Sequence, residues 1–222
     1  MTRPCVLLDL DGTLTDSRPG IVGSTHHALR ALGITPDPAQ DLSWIIGPPL
    51  ETVIGGVLAH YGDTRCDQAV AEYRRHYSEV GLLQNAVYPG IPEMLRRLRE
   101  DGYDLVLATA KRTHLAVRVI EHFGFAPLFR AMYGSEDPGV LDHKPDLIAH
   151  ILARETPSAA IMVGDRSYDI VGAHANCLRG IGVAWGYGGV AELTEAGADA
   201  IAERPDQVAE LVRQGLRRAA TA

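Results

Sequence analysis

Cys5-Val6-Leu7-Leu8-Asp9-Leu10-Asp11-Gly12-Thr13-Leu14 changes character halfway along. Its first half is a short apolar run, which reads as a buried strand. Its second half sets two carboxylates on either side of one leucine and closes with a turn signal, Asp11-Gly12-Thr13. Alternate residues of a strand share a face, so Asp9 and Asp11 can project to the same side at the strand's carboxyl end. Two carboxylates so placed repel each other unless a cation or a division of labour separates them.

Outward from this segment, the chain splits into two patterns. From Ile91 onward, helical segments alternate with apolar strands: helix near 91–101, strand 104–108, helix 113–123, strand 131–133, a helix after Pro145, strand 159–163, helix 168–176, strand 180–184 and a closing helix from Pro205. Such alternation predicts an α/β fold, a Rossmann-like doubly wound parallel sheet covered on both faces. Between the first strand and this array the pattern is helical throughout. Ser17 is positioned to cap a helix reaching Leu32, with Pro19 in its first turn. Residues 41–83 keep helical spacing, interrupted by Gly47-Pro48-Pro49, with no strand among them. The expected organisation is a core of 1–15 and 87–222 with a helical insert at 16–86. Tyr88-Pro89-Gly90 reads as a turn, and Arg217 to Ala222 as a frayed tail.

Composition narrows the function. The 222 residues are 46% hydrophobic and 22% charged, enough apolar surface for a packed core. A net charge of −7 argues against a sequence-independent grip on a nucleic-acid polymer. No apolar run approaches the roughly 18 residues of a membrane span, and no signal peptide fits the amino terminus. The three cysteines, Cys5, Cys66 and Cys177, form no CxxC pair or disulfide framework, so the expected location is the reducing cytoplasm. Arginines number 19 and lysines 2, so chemistry that needs a lysine has only Lys111 and Lys144 to draw on.

Ligands of open parallel sheets bind beyond the carboxyl ends of the strands. Asp9-Leu10-Asp11, Thr109-Ala110-Lys111 and Gly164-Asp165 through Asp169 stand at such ends, with Lys144 just before a helix. Asp9, Asp11, Asp165 and Asp169 together offer hard oxygen ligands suited to Mg²⁺, which is commonly held by a few carboxylates, waters and substrate phosphate. Lys144 and the Thr109 hydroxyl would then face the remaining phosphate oxygens. Backbone N–H groups around Gly12 could add an anion nest.

Asp9-Leu10-Asp11-Gly12-Thr13-Leu14, then Thr109, Lys144 and Gly164-Asp165-Arg166-Ser167-Tyr168-Asp169 resemble, in order, the four motifs of the haloacid-dehalogenase-like superfamily. The resemblance covers essentially the whole chain and implies that 16–86 is a helical cap. It implies Asp9 as a nucleophile forming an aspartyl-phosphate and Asp11 as the acid and then base. Mg²⁺ would be held by Asp9, the Asp11 carbonyl and Asp165, with Asp169 as ligand or support, and the phosphoryl group by Thr109, Ala110, Lys144 and Gly12. Asp11 sets the chain apart from true dehalogenases, which lack the second acid. The absence of lysine between Ser17 and Asn85 sets it apart from phosphonatases, which need a Schiff-base lysine there.

Ile46-Gly47-Pro48-Pro49-Leu50, Val163-Gly164-Asp165-Arg166 and the run from Gly182 to Gly188 look like the phosphoglycolate-phosphatase-like group, nearest its 5′-nucleotidase-like branch. The expected substrate is a small phosphorylated metabolite. Phosphotyrosine or phosphoprotein hydrolysis, a phosphomutase, and a binding protein without turnover stay open. Ala110 departs from the pattern, since many relatives have asparagine or serine there. Gly47 and Pro48 belong either to a break between helices or to a loop that selects the leaving group. Lys111 and Arg112 either touch the phosphate or leaving group or are helix-start charges. Gly186-Tyr187-Gly188-Gly189 is either a tight turn or a substrate-side loop. His26, His27, Tyr73, Tyr77 and Tyr88 read as packing residues. Oligomeric state is not legible.

Overall fold

The computed structural model describes residues 3–136 and 140–219. In chain order the elements are β1 (Cys5–Leu8), β2 (Thr15–Asp16), α1 (Arg18–Ala31), α2 (Leu50–His60), α3 (Cys66–Glu79), β3 (Ala86–Val87), α4 (Ile91–Glu100) and β4 (Asp104–Arg112). There follow α5 (Thr113–His122), β5 (Phe129–Ser135), α6 (Lys144–Glu155), β6 (Ala160–Gly164), α7 (Ser167–Ala175), β7 (Arg179–Val183), α8 (Gly189–Glu195), β8 (Ala200–Ala202) and α9 (Val208–Ala219). The chain divides into two compact units, Met1–Thr15 with Val87–Ala222, and Asp16–Ala86.

The first unit is built on a six-stranded parallel sheet in the order β5-β4-β1-β6-β7-β8. β1 lies inside the sheet, with Leu7 in register with Val106 of β4 and Met162 of β6. Strands covered on both faces must be apolar throughout, and every residue of β1 is buried. On one face Leu7, Val106 and Met162 pack with Leu147, Ile148 and Ile151 of α6 and Ala173 of α7. The chain builds outward from β1 through β4 to β5, then crosses to β6 on the other side. That reversal opens the crevice beyond the carboxyl ends of β1 and β6, where ligands of such sheets bind.

Several elements differ from the sequence expectation. β4 runs to Arg112 rather than stopping at Ala108. Between Ala108 and Arg112 it advances four residues while β5 advances two, from Tyr133 to Ser135. Bulges of this kind re-aim side chains beside functional sites, and Thr109, Ala110 and Lys111 are the residues inside this one. β8 and α8 went unread because the strand is a three-residue Ala-Ile-Ala edge, held by pairing with β7 rather than by propensity. Ser17 stands at the N-cap of α1, but its side chain makes no capping bond. The expected frayed tail is helical through Ala219: Val208 and Val212 are buried, and Gly215 lets α9 approach β6, where a Cβ would stand 2.5 Å from Ile161. Residues 220–222 lie outside those described. Among the described residues, no helix is long and apolar enough to cross a membrane.

The second unit is helical, as its spacing predicts. Gly20 of α1 meets the short 3-10 turn Gly81–Leu83, where a Cβ would lie 1.9 Å from the Gly81 carbonyl oxygen. Tyr73 and Tyr77 stack within the core, and His27 stacks on His76, whose Nδ1 bonds the Ser24 hydroxyl at 3.0 Å. Gly20→Val should therefore cost about 1–3 kcal/mol through overpacking. Gly55→Ala, in α2 with open space around it, should instead gain about 0.5–1 kcal/mol from helix propensity. Denaturant unfolding midpoints of the two variants, moving in opposite directions, check both.

Candidate active site

Strand ends and two helix starts deliver the site. Asp9 leaves the end of β1, its N–H donating to Val163 O at 3.0 Å. Asp165 follows β6, and Asp169 lies in the first turn of α7. All three are buried, and one carboxylate oxygen from each lies within 4.8 Å of the others. Lys144, the first residue of α6, reaches between them. Its Nζ stands 3.0 Å from Asp9 Oδ1, 2.7 Å from Asp169 Oδ1 and 2.8 Å from Ala108 O. The contacts to Asp9 and Ala108 are hydrogen bonds, and that to Asp169 is an ion pair. Gly172 makes room for this lysine, since a Cβ there would fall 2.7 Å from Lys144 Cγ.

Asp165 is fully buried and is held by the Thr13 hydroxyl at 3.1 Å and the Tyr187 N–H at 2.8 Å. A Cβ on Gly12 or Gly186 would sit 2.2 and 2.3 Å from its side chain, so both positions exclude larger residues. Asp169 accepts from the Arg166 N–H at 3.1 Å. Glu192 on α8 braces the same loop, accepting from Ser167 N–H at 2.7 Å and Arg166 Nε at 2.9 Å. Trp185 Nε1 ties the β7 end to Thr13 O at 3.0 Å.

The charges are out of balance. Burial pushes the Asp9 carboxyl up to about 6, with Asp169 and Asp11 adding to the push and Lys144 pulling against it. Burial likewise drives Asp165 well above the carboxylate range, reinforced by Asp9 and Asp169. At Lys144 burial opposes the charge, but Asp169 and Asp9 outweigh it and hold the ammonium above its ordinary range. Three buried carboxylates against one ammonium leave room for a divalent cation, and an all-oxygen donor set suits Mg²⁺. The residues present fit that ion.

The other expected site residues fall into place unevenly. Thr109 is buried, its Oγ1 accepting from the Lys111 N–H at 3.2 Å, with Ala110 between them. Gly12 does not present an open amide. Its N–H donates to Thr15 O at 2.8 Å and that of Thr13 to Leu10 O at 3.3 Å, because the φ of +87° at Gly12 curls the turn onto itself. The contribution of Gly12 is the space it leaves for Asp165 rather than an anion nest. Lys111 pairs with Asp11, its Nζ 2.9 Å from Oδ1 and 2.7 Å from Oδ2. Arg112 ends β4 at the N-cap of α5. Gly47, at φ +115°, and Pro48 lie in the loop before α2 and belong to the helical unit. Sequence reasoning missed Thr13, Trp185 and Glu192. For Gly186 to Gly188 the glycine-rich strand end was the usable signal, and the structure packs this bend on Asp165.

Residues 6–183 match the family described as haloacid dehalogenase-like hydrolase. A 5′-nucleotidase of Pseudomonas aeruginosa is 42% identical over 194 residues, 86% of each chain. The tyrosine-protein kinase PtkA of Mycobacterium tuberculosis is 40% identical over 186 residues, 82% of this chain and 62% of that protein. The crystal structure of a predicted phosphatase from Clostridium acetobutylicum superposes with a TM-score of 0.86 at 36% identity, covering 96% of this chain and 99% of that one. The family match spans the same crevice that gathers Asp9, Lys144, Asp165 and Asp169, and the chain belongs to the haloacid dehalogenase-like hydrolase family, as one of its phosphatases.

Proposed function

We propose that the protein is a Mg²⁺-dependent phosphomonoester hydrolase that works through an aspartyl-phosphate on Asp9, with a small phosphorylated metabolite as substrate. The observation that carries this reading is the buried Asp9 carboxylate, paired to Lys144 and grouped with Asp165 and Asp169 at the sheet's switch point. A carboxylate can form such a covalent intermediate when its partners orient it. An Asp9 oxygen attacks phosphorus as the ester P–O bond breaks, and Asp11 gives a proton to the departing oxygen. Asp11 then takes a proton from the water whose oxygen attacks the same phosphorus, releasing phosphate and restoring Asp9. Lys144 and the Thr109 hydroxyl hold phosphoryl oxygens. Asp9, Asp165 and the Asp11 carbonyl would hold Mg²⁺, supported by Asp169, and the ion supplies charge neutralisation for those oxygens.

The likeness to a 5′-nucleotidase supports a 5′-nucleotide or comparable metabolite such as phosphoglycolate. The likeness to a protein named as a tyrosine kinase favours phosphotyrosine as a second reading. Phosphate release across these substrates and sugar phosphates, with Mg²⁺ and with chelator, separates them. One substrate well above the rest and lost with chelator is the expected profile, and no release from any would overturn the reading. Asp9→Asn should lower kcat by more than about 10³-fold while the protein stays folded; activity near wild type removes Asp9 as nucleophile. Mg²⁺ at a hundredfold excess over its Kd should stabilise the fold by about 2.7 kcal/mol. Thermal unfolding should show that gain in the wild type and its loss in Asp165→Asn.

A further inference from the structure

Both lysines of the chain stand at this one site, each on one of the two aspartates of the first motif: Lys144 on Asp9 and Lys111 on Asp11. Elsewhere the sequence uses arginine, 19 residues against these two. The two lysine side chains are 5% and 6% exposed, whereas among the described residues the least exposed ion-paired arginine is Arg166 at 12%. Lysine at these positions is thus an exception to the composition, and both exceptions touch a reacting carboxylate. The chemical difference is specific: an ammonium is a compact charge whose donors rotate freely, while a guanidinium is a rigid planar fork.

The backbone holds Lys111 as firmly as its side chain holds Asp11. It sits in the stretch where β4 gains two residues on β5. Gly134 of β5 lies directly against it, since a Cβ there would be 2.2 Å from the Lys111 carbonyl oxygen. The Gly134 N–H donates to Thr113 Oγ1 at 3.1 Å, locking the strand pair just beyond. From this braced position Nζ reaches both oxygens of Asp11 at 2.9 and 2.7 Å, the short distances of charge-assisted bonds. Asp11 is half-buried, on a turn whose next N–H groups are spent internally.

We propose that Lys111 is the positioning residue for Asp11: it sets the rotamer from which that carboxyl exchanges a proton with the leaving oxygen, and it does not bind the phosphoryl group. This rests on the proton-transfer role assigned to Asp11 above. Loss of Lys111 should therefore hurt in proportion to how much the leaving group needs a proton.

The test compares a primary alkyl phosphate, whose alkoxide needs protonation, with p-nitrophenyl phosphate, whose phenolate leaves without it. Lys111→Met and Lys111→Gln are measured with Mg²⁺ present, beside Asp11→Asn and the Asp11→Asn/Lys111→Met double variant, all checked for folding by circular dichroism. On the alkyl phosphate, both Lys111 variants should lose at least about tenfold in kcat, with KM moving by less than about threefold. The pre-steady-state burst of nitrophenol should change by less than about threefold, because that step bypasses Asp11. The double variant should be no slower than Asp11→Asn, since the lysine acts only through the carboxylate. An equal loss in the nitrophenol burst, or an effect confined to KM, would overturn the proposal in favour of phosphate or substrate binding. Unchanged rates in both Lys111 variants would also overturn it, provided Asp11→Asn is impaired. If Asp11→Asn itself keeps alkyl-phosphate turnover, the acid–base reading fails first, and the inference falls with it.

Discussion

Three carboxylates buried beside one another, with a single ammonium between them, set the terms for this protein. Taking Asp9, Asp165 and Asp169 out of water costs far more than any one neighbour returns. The surroundings are organised around that cost. Lys144 donates to Asp9 and the Ala108 carbonyl and forms an ion pair with Asp169. Asp165 has a hydroxyl and a backbone amide, and Asp169 has the Arg166 N–H. Glycines at 12, 164, 172 and 186 leave no Cβ where a carboxylate or the lysine stem must pass. What remains uncompensated is negative charge, which suits a divalent cation.

The sheet makes the cluster possible. Because β1 lies between β4 and β6, the ends of all three strands open into one crevice. Residues separated by more than 150 positions, such as Thr13 and Asp165, come within hydrogen-bond distance there. The extra residues in β4 add a second ion pair, Lys111 with Asp11, beside the first. Trp185 and Tyr187 of the β7–α8 connection and Glu192 of α8 tie down Thr13, Asp165 and Ser167. The helical unit is inserted where this framework tolerates it, between β1 and the remaining core strands.

Much of this was legible in residue order. The apolar run at 5–8 ending in acids marked the central strand, and the alternation after Ile91 marked the parallel sheet. The Asp9, Asp165, Asp169 and Lys144 group could be assembled because ligands gather at the carboxyl edge of such sheets. Other features left weak marks. β8 is an Ala-Ile-Ala edge whose strand character comes from β7. Ser17 has the composition of a cap without the bond. The Gly12 turn looks like an anion nest, but its amides are committed within the turn. Glu192 is one acid among 28, and only the folding of α8 onto the start of α7 gives it a role.

The sequence by itself determined the fold class, the helical insert and the identity of the carboxylates and lysine that converge. Those depend on local period, turn chemistry and strand ends, all of which are written in neighbouring residues. Only the tertiary structure decided which charge meets which. Lys111 was a phosphate contact or a helix-start charge until the register of β4 against β5 placed it on Asp11. Gly12 reads as part of a candidate anion nest until the fold commits its N–H and that of Thr13 within the turn. Pairings between side chains a hundred residues apart follow from sheet register and close packing, and neither has a period that a single sequence displays.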